Sequence, residues 1–300
     1  MQAKDPTTPG GSAEDGGSGA PPPDVLPPGS VPDHDLLRCI GRGSYGDVWL
    51  ARSVMGSYRA VKIVHRKSFT EDRPYEREFK GIRHFEPLSR SHPGLVQILQ
   101  VGRNDEMGYY YCLMELADDL GTGRNFAPVS YEPKTLGKLI TRFGKLDVGR
   151  CIEIGLVLTD ALAYLHDHDL IHRDIKPSNI IFVEARPKFA DIGLVTEIGD
   201  GRTIVGTEGY FPLEGPGKPP GDVYSLGKVL YEASTGLNRE RFPDLPTQFD
   251  EAVEPGAFQG LNRIILRACE SNVQNRYQSA RQMHEALLHL QASLAHTRGK

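Results

Sequence analysis

Ile171-His172-Arg173-Asp174-Ile175-Lys176-Pro177-Ser178-Asn179 sets a carboxylate, an ammonium and a carboxamide at close, fixed spacing near the middle of the chain. Two readings compete for such a stretch. It can be a polar turn, in which Pro177 and Asn179 break the chain and the charges are simply solvated. Alternatively the three groups act together, and the rest of the chain must supply the parts they act with.

Composition narrows the choice. The chain has 300 residues, 39% hydrophobic and 25% charged, ordinary values for a soluble globular protein of one large domain or two small ones. Its formal net charge is -4, and the first 34 residues alone carry that excess, with Lys4 set against Asp5, Glu14, Asp15, Asp24 and Asp33. The remainder is close to neutral, which argues against a polyanion-binding surface and so against nucleic acid as a partner. Cys39, Cys112, Cys151 and Cys269 lie far apart, without zinc or redox spacing, and read as buried reduced thiols. No apolar run approaches the roughly 20 residues that span a bilayer. The N-terminus lacks a signal-peptide pattern, so a cytoplasmic protein is the expectation.

Residues 1–34 are rich in Gly, Pro, Ser and acids, as in Pro21-Pro22-Pro23, and cannot bury enough surface to offset their ordering entropy. They read as a disordered tail. Leu36 to Ile40, Val48 to Ala51, Arg59 to Val64, Leu95 to Val101 and Tyr109 to Met114 read as strands, with a helix at Pro74 to Ser89 that sets Tyr75, Phe79, Ile82 and Phe85 on one face. Beyond Ala117 the pattern is helical: Thr135 to Arg142, Val148 to His166, Asp222 to Ser234, Gly260 to Cys269 and Ser279 to about Leu294. A mostly β lobe followed by a mostly α lobe is an α+β architecture, and ligands favour the cleft between such lobes. The boundaries expected are 35–116 and 117–294 for the two lobes, with a flexible end at 295–300. Asp118 to Pro133 is an irregular insertion near the cleft mouth, either shaping access or without a task.

Gly41-x-Gly43-x-x-Gly46 has a spacing that also opens dinucleotide-binding domains, but those need a helix directly after the glycines. Here Asp47-Val48-Trp49-Leu50-Ala51 is a strand, so the glycines turn a hairpin. None of the Gly-Lys pairs is followed by Ser or Thr, which excludes a P-loop. Lys62 stands inside an apolar strand, where a charge is costly unless paired. His166, His168 and His172 match no common zinc spacing and have no fourth ligand nearby.

Taken in order, these parts resemble a eukaryotic-like protein kinase of the serine/threonine branch, over about Leu36 to Leu294. The resemblance implies a bilobal fold, ATP and Mg²⁺ as cofactors, and protein substrates with Ser or Thr acceptors. It makes Asp174 the base that holds the substrate hydroxyl, Lys176 a screen for phosphoryl charge, and Asn179 and Asp191 the metal ligands. Ile40, Gly41, Gly43 and Gly46 would cover the phosphates. Lys62 would hold the nucleotide and pair with a helix glutamate, Glu78, with Glu76 as competitor. Met114 would border the adenine pocket, Glu115 and Ala117 would bind the base through their backbones, and Val48, Ala60 and Ile181 would sandwich the ring. Lys176 and Thr207 resemble the serine/threonine branch rather than the tyrosine branch.

The resemblance also implies a Glu214 pair with Arg276, and Asp222 as holder of the catalytic-loop backbone, although an acid at a helix start can be a plain N-cap. Three positions depart from the family pattern: Ile192 replaces the usual Phe after Asp191, and Pro212 and Leu213 replace the first two residues of Ala-Pro-Glu, with the acid kept as Glu214. Arg173 suggests control by a phosphorylated residue between Asp191 and Glu214, with Thr203 as candidate. The competing functional class is a pseudokinase or scaffold that binds nucleotide or a partner without catalysis.

Overall fold

The computed structural model describes residues 30–43, 46–191, 196–197, 206–246 and 255–298. Strands β1 (His34–Arg42), β2 (Gly46–Ser53) and β3 (Tyr58–His65) are followed by helix α1 (Asp72–Ser89), β4 (Ile98–Asn104) and β5 (Tyr109–Met114). Then come α2 (Leu136–Phe143), α3 (Val148–Asp167), the short strands β6 (Leu170–Ile171), β7 (Ile180–Val183), β8 (Arg186–Phe189) and β9 (Thr196–Glu197), and helices α4 (Pro219–Thr235), α5 (Pro255–Ala268) and α6 (Ala280–Arg298). The first five strands form one antiparallel sheet in the order β1-β2-β3-β5-β4. The expected α+β, two-lobed arrangement is the one observed.

The period of two along β3 and β5 divides the small lobe. Ala60, Val64, Tyr110, Cys112 and Met114 face α1 through Tyr75, Ile82 and Phe85. Val61, Ile63, Tyr109, Tyr111 and Leu113 form a second cluster on the opposite face, covered by Val31, Leu36 and Trp49. Lys62 therefore shares the α1 side with Ala60 and Val64. In the larger lobe α3 buries Cys151, Ile154, Leu158, Ala161 and Leu165, a helical stripe that meets α4 and α6. Gly155 lets α3 and α6 approach, since a Cβ there would lie 3.0 Å from Leu287 Cδ1.

Several boundaries differ from the sequence expectations for physical reasons. Leu95 and Val96 belong to no strand of the large sheet; Val96 N donates to Phe189 O at 2.9 Å, so this apolar pair joins the lobes instead of extending β4. Strand β8 stops at Phe189, short of Asp191, which takes a left-handed φ of 54°. Helix α4 begins with Pro219 and Pro220, which suit a first turn, so Asp222 is not its cap. Helix α6 continues past Leu294 to Arg298. Ser30 and Val31 already pack on the domain, Tyr109 Oη donating to Ser30 O at 2.8 Å, so only residues 1–29 of the expected tail lie outside the described residues.

The insertion is ordered around Asp119. Its carboxylate accepts from the N–H groups of Gly121, Thr122 and Glu132 and from Thr122 Oγ1. Burial alone would raise this pKa, but the four donors hold it down to about 2. A folded-state pKa below the unfolded one adds stability above the unfolded value and loses it as pH falls through the folded value. Wild type should therefore lose stability between about pH 4 and pH 2 more steeply than Asp119→Asn, in denaturant titrations repeated across that range.

Arg276 is enclosed in the larger lobe. It donates to Glu270 O at 2.9 and 3.0 Å, to Pro220 O at 3.0 Å and to Glu214 Oε1 at 2.7 Å. The pair with Glu214 is buried on one side only, since the Glu214 side chain is 40% exposed while that of Arg276 is 0%. The buried carbonyls need Arg276 more than the carboxylate does. Arg276→Met should cost about 2–4 kcal/mol and Glu214→Gln under about 1 kcal/mol, read from urea unfolding. Equal losses would place the energy in the ion pair.

Candidate active site

Asp222 fixes the loop after β6. Its fully buried carboxylate accepts from His172 N at 2.8 Å and Arg173 N at 2.9 Å, and pairs with His166 Nε2 at 3.0 Å. Burial opposes ionisation here, but the His166 and His172 contacts hold the carboxyl below its usual range. Arg173 can then adopt a left-handed φ of 70°, which turns the chain toward the cleft. The His172 ring packs 5.0 Å from Phe189, and burial lowers its pKa, so it is a neutral packing group. His168 Nδ1 lies 2.8 Å from Tyr164 O on the other side of the β6 turn.

Beyond that turn, Asp174 gathers the polar groups. Its Oδ1 accepts from Thr207 Oγ1 at 2.8 Å and Thr207 N at 3.1 Å, while Oδ2 meets Lys176 Nζ at 2.8 Å and Asn179 Nδ2 at 2.9 Å. Lys176 Nζ also donates to Thr207 Oγ1 at 2.8 Å. Asn179 uses its amide nitrogen on Asp174, including the Asp174 backbone carbonyl at 2.9 Å, which leaves its carboxamide oxygen as a potential ligand.

Across the cleft, Lys62 Nζ lies 2.7 Å from Asp191 Oδ1 and 3.4 Å from Glu78 Oε1. Burial works against the ammonium, but the two carboxylates raise its pKa well above the ordinary value. Asp191 is likewise opposed by burial and held low by Lys62. Glu78 goes the other way, raised by burial that the longer Lys62 contact only partly offsets. Lys62 is thus chiefly the partner of Asp191. Glu76 instead pairs with Arg103 at 2.7 Å on the surface, so it is not the Lys62 partner.

A cavity of about 480 Å³ separates the two groups. Ile40, Gly41, Gly43, Val48, Ala60 and Ile181 line it, as do Met114, Glu115 and Ala117 at the interlobe hinge, and Lys62, Lys176, Asn179 and Asp191 at its polar end. Among the described residues, neither Glu115 C=O nor Ala117 N–H has a backbone partner. Gly46 is not among the lining residues. Its missing Cβ serves packing, since a Cβ there would lie 2.3 Å from Ile63 O in β3. Asp174, Thr207 and Glu78 stand behind the lining. Cys112 reaches the cavity wall, and burial pushes its thiol up to about 12. Ile192 and Thr203 lie outside the described residues.

One apolar end, one polar end with two ammonium groups, and two hard oxygen donors fit an adenine nucleotide with Mg²⁺. The sequence reading missed Tyr131, Thr135 and Lys138 on the cavity wall. No periodicity marks the insertion, and an aromatic residue closely followed by Pro133 was its only signal.

The model of the protein kinase domain matches residues 34–297. The chain belongs to the protein kinase family. A probable serine/threonine-protein kinase of Clostridium perfringens is 30% identical over 271 residues, 83% of this chain and 37% of that protein. The serine/threonine-protein kinase PrkC of Bacillus subtilis is 27% identical over 270 residues, 83% of this chain and 39% of its own length. PknG of Mycolicibacterium smegmatis is 28% identical over 272 residues, 88% of this chain and 33% of its own length. The kinase domain described here thus spans less than two fifths of these serine/threonine-kinase relatives.

The Lys62 arrangement in this kinase domain has a measurable signature. Lys62→Met leaves two carboxylates in the cleft without their cation and should destabilise the protein by about 3 kcal/mol at pH 7. Both carboxyls would then have folded pKa values above their unfolded ones, so part of the loss should return as pH falls toward 5. Chemical denaturation of both proteins at the two pH values reads this; a loss independent of pH would mean that lost packing dominates.

Proposed function

We propose that this domain transfers the γ-phosphoryl group of ATP to Ser or Thr hydroxyls of protein substrates. The observation that carries the reading is the convergence of Asp174, Lys176, Thr207 and Asn179 opposite Lys62 and Asp191 at one cavity. Asp174 Oδ1 already holds one threonine hydroxyl at 2.8 Å, the contact an acceptor hydroxyl requires. In the transfer, Asp174 orients the acceptor oxygen and takes its proton as the new P–O bond forms and the bond to the departing ADP oxygen breaks. Lys176 screens the charge on the group in flight, and Lys62 aligns the remaining phosphates. Asn179 and Asp191 would hold Mg²⁺, which neutralises charge on the phosphate oxygens. Glu115 C=O and Ala117 N–H would bind the base.

The setting proposed is the cytoplasm, in keeping with its unpaired thiols, of which those of Cys112, Cys151 and Cys269 are buried and that of Cys39 is half-buried. No helix among the described residues is long and apolar enough to cross a membrane. The presence of base, lysine and both metal ligands favours catalysis over a binding-only role.

Asp174→Asn should keep ATP binding within a few-fold yet lower phosphoryl transfer by roughly 100-fold or more. Purified proteins incubated with Mg²⁺ and labelled ATP test this, with mass spectrometry identifying the acceptor residues. Near wild-type turnover in the variant would sink the role of Asp174. ATP binding without transfer in wild type would favour the scaffold reading.

A further inference from the structure

The insertion from Asp118 to Pro133 leaves the hinge and returns to the nucleotide cavity, which Tyr131 and Pro133 line. Tyr131 is fixed from several directions. Its ring centroid lies 4.6 Å from that of Phe126, which lies 5.3 Å from Tyr58 at the start of β3. Its carbonyl accepts from Arg38 Nη2 in β1, and Arg38 Nε donates to Pro128 O at 3.1 Å. The next N–H, of Glu132, is held by Asp119 Oδ2 at 2.7 Å. The residue is 1% exposed.

The hydroxyl positioned in this way donates to Ala117 O at 3.0 Å. Burial, with Asp119 and Asp118 nearby, raises its pKa, so it stays a phenol able to donate. The hinge presents an alternating edge: Glu115 C=O accepts, Ala117 N–H donates and Ala117 C=O accepts. Adenine offers an amino donor at C6 and an acceptor at N1, but only a C–H at C2. The third hinge group would find no donor on adenine, and an enclosed carbonyl without one is costly. In this protein Tyr131 supplies the donor.

Resting on the nucleotide reading above, we infer that Tyr131 is a base-specificity residue. By engaging Ala117 C=O it takes up the acceptor that a 2-aminopurine base would use, and so biases the cavity toward adenine. The carbonyl keeps a second lone pair, so the bias is a several-fold preference and not a complete barrier. Arg38 is a positioning residue for the same contact, because it holds the Tyr131 backbone from the opposite lobe.

The test titrates the full chain calorimetrically, in the presence of Mg²⁺, with ATP and with the triphosphate of 2,6-diaminopurine riboside. The readout is the ratio of the two dissociation constants, from which a general loosening of the cavity cancels. Tyr131→Phe keeps the ring and removes the donor. It should shift the ratio about three- to tenfold toward the 2-amino analogue, the span of one hydrogen bond. Arg38→Ala should shift it the same way by less. An unchanged ratio in a Tyr131→Phe protein that still binds ATP overturns the inference; should that variant fail to fold, an unchanged ratio in Arg38→Ala does so. If wild type binds neither triphosphate, the nucleotide reading itself falls, a failure visible before any variant is made.

Discussion

A carboxylate without solvent contact, that of Asp222, holds the loop after β6 to the helical lobe. Two consecutive backbone N–H groups and an imidazole converge on it. Hydrogen bonds to a charged acceptor are among the stronger ones in a protein, and burial shields these from competing water. That strength offsets the left-handed backbone at Arg173, and the turn at Arg173 sets Asp174 among Lys176, Asn179 and Thr207. Every later feature of the polar cluster inherits its position from this anchor, since Lys176, Asn179 and Thr207 are placed by their bonds to Asp174.

The opposite wall is built on a different principle. Lys62 sits on the α1 face of a strand whose neighbours on that face are apolar, and among the described residues Asp191 and Glu78 answer its charge. Asp191 comes from the segment after β8, which also receives the Val96 backbone bond through Phe189. The lobes are therefore joined at the site by an ion pair and beside it by main-chain pairing. At the outer edge Arg38 bonds β1 to the insertion, so the cavity is tied on both flanks.

Legibility in the sequence followed the range of the forces involved. The strands β2, β3 and β5 and helices α1 and α3 were readable because alternation and helical spacing are local consequences of one buried face. Lys62 was readable as a paired residue because an isolated charge in an apolar strand is costly. Glu78 could be preferred over Glu76 only by its apolar neighbour Ile82; in the structure Glu76 pairs with Arg103, and Glu78 lies 3.4 Å from Lys62. By contrast, the role of Gly46 depends on a carbonyl in the next strand. Tyr131 depends on contacts from β1, the hinge and Phe126, and no local periodicity encodes a residue whose partners come from separate parts of the chain. The start of α4 was misplaced because Asp222 has the look of a cap, whereas Pro219 and Pro220 open the helix.

The segment before β1 gives the small lobe a second side. Val31 closes a cluster that includes Tyr109, Tyr111 and Leu113 on the face turned away from α1. Without it, the part of that aromatic and aliphatic surface not covered by Leu36 and Trp49 would meet water, the kind of patch through which proteins self-associate. A recombinant chain trimmed to begin at Asp35 would keep Lys62, Asp174, Asn179 and Asp191 yet lose Ser30, Val31 and the first residue of β1, and with them part of the cover over that face.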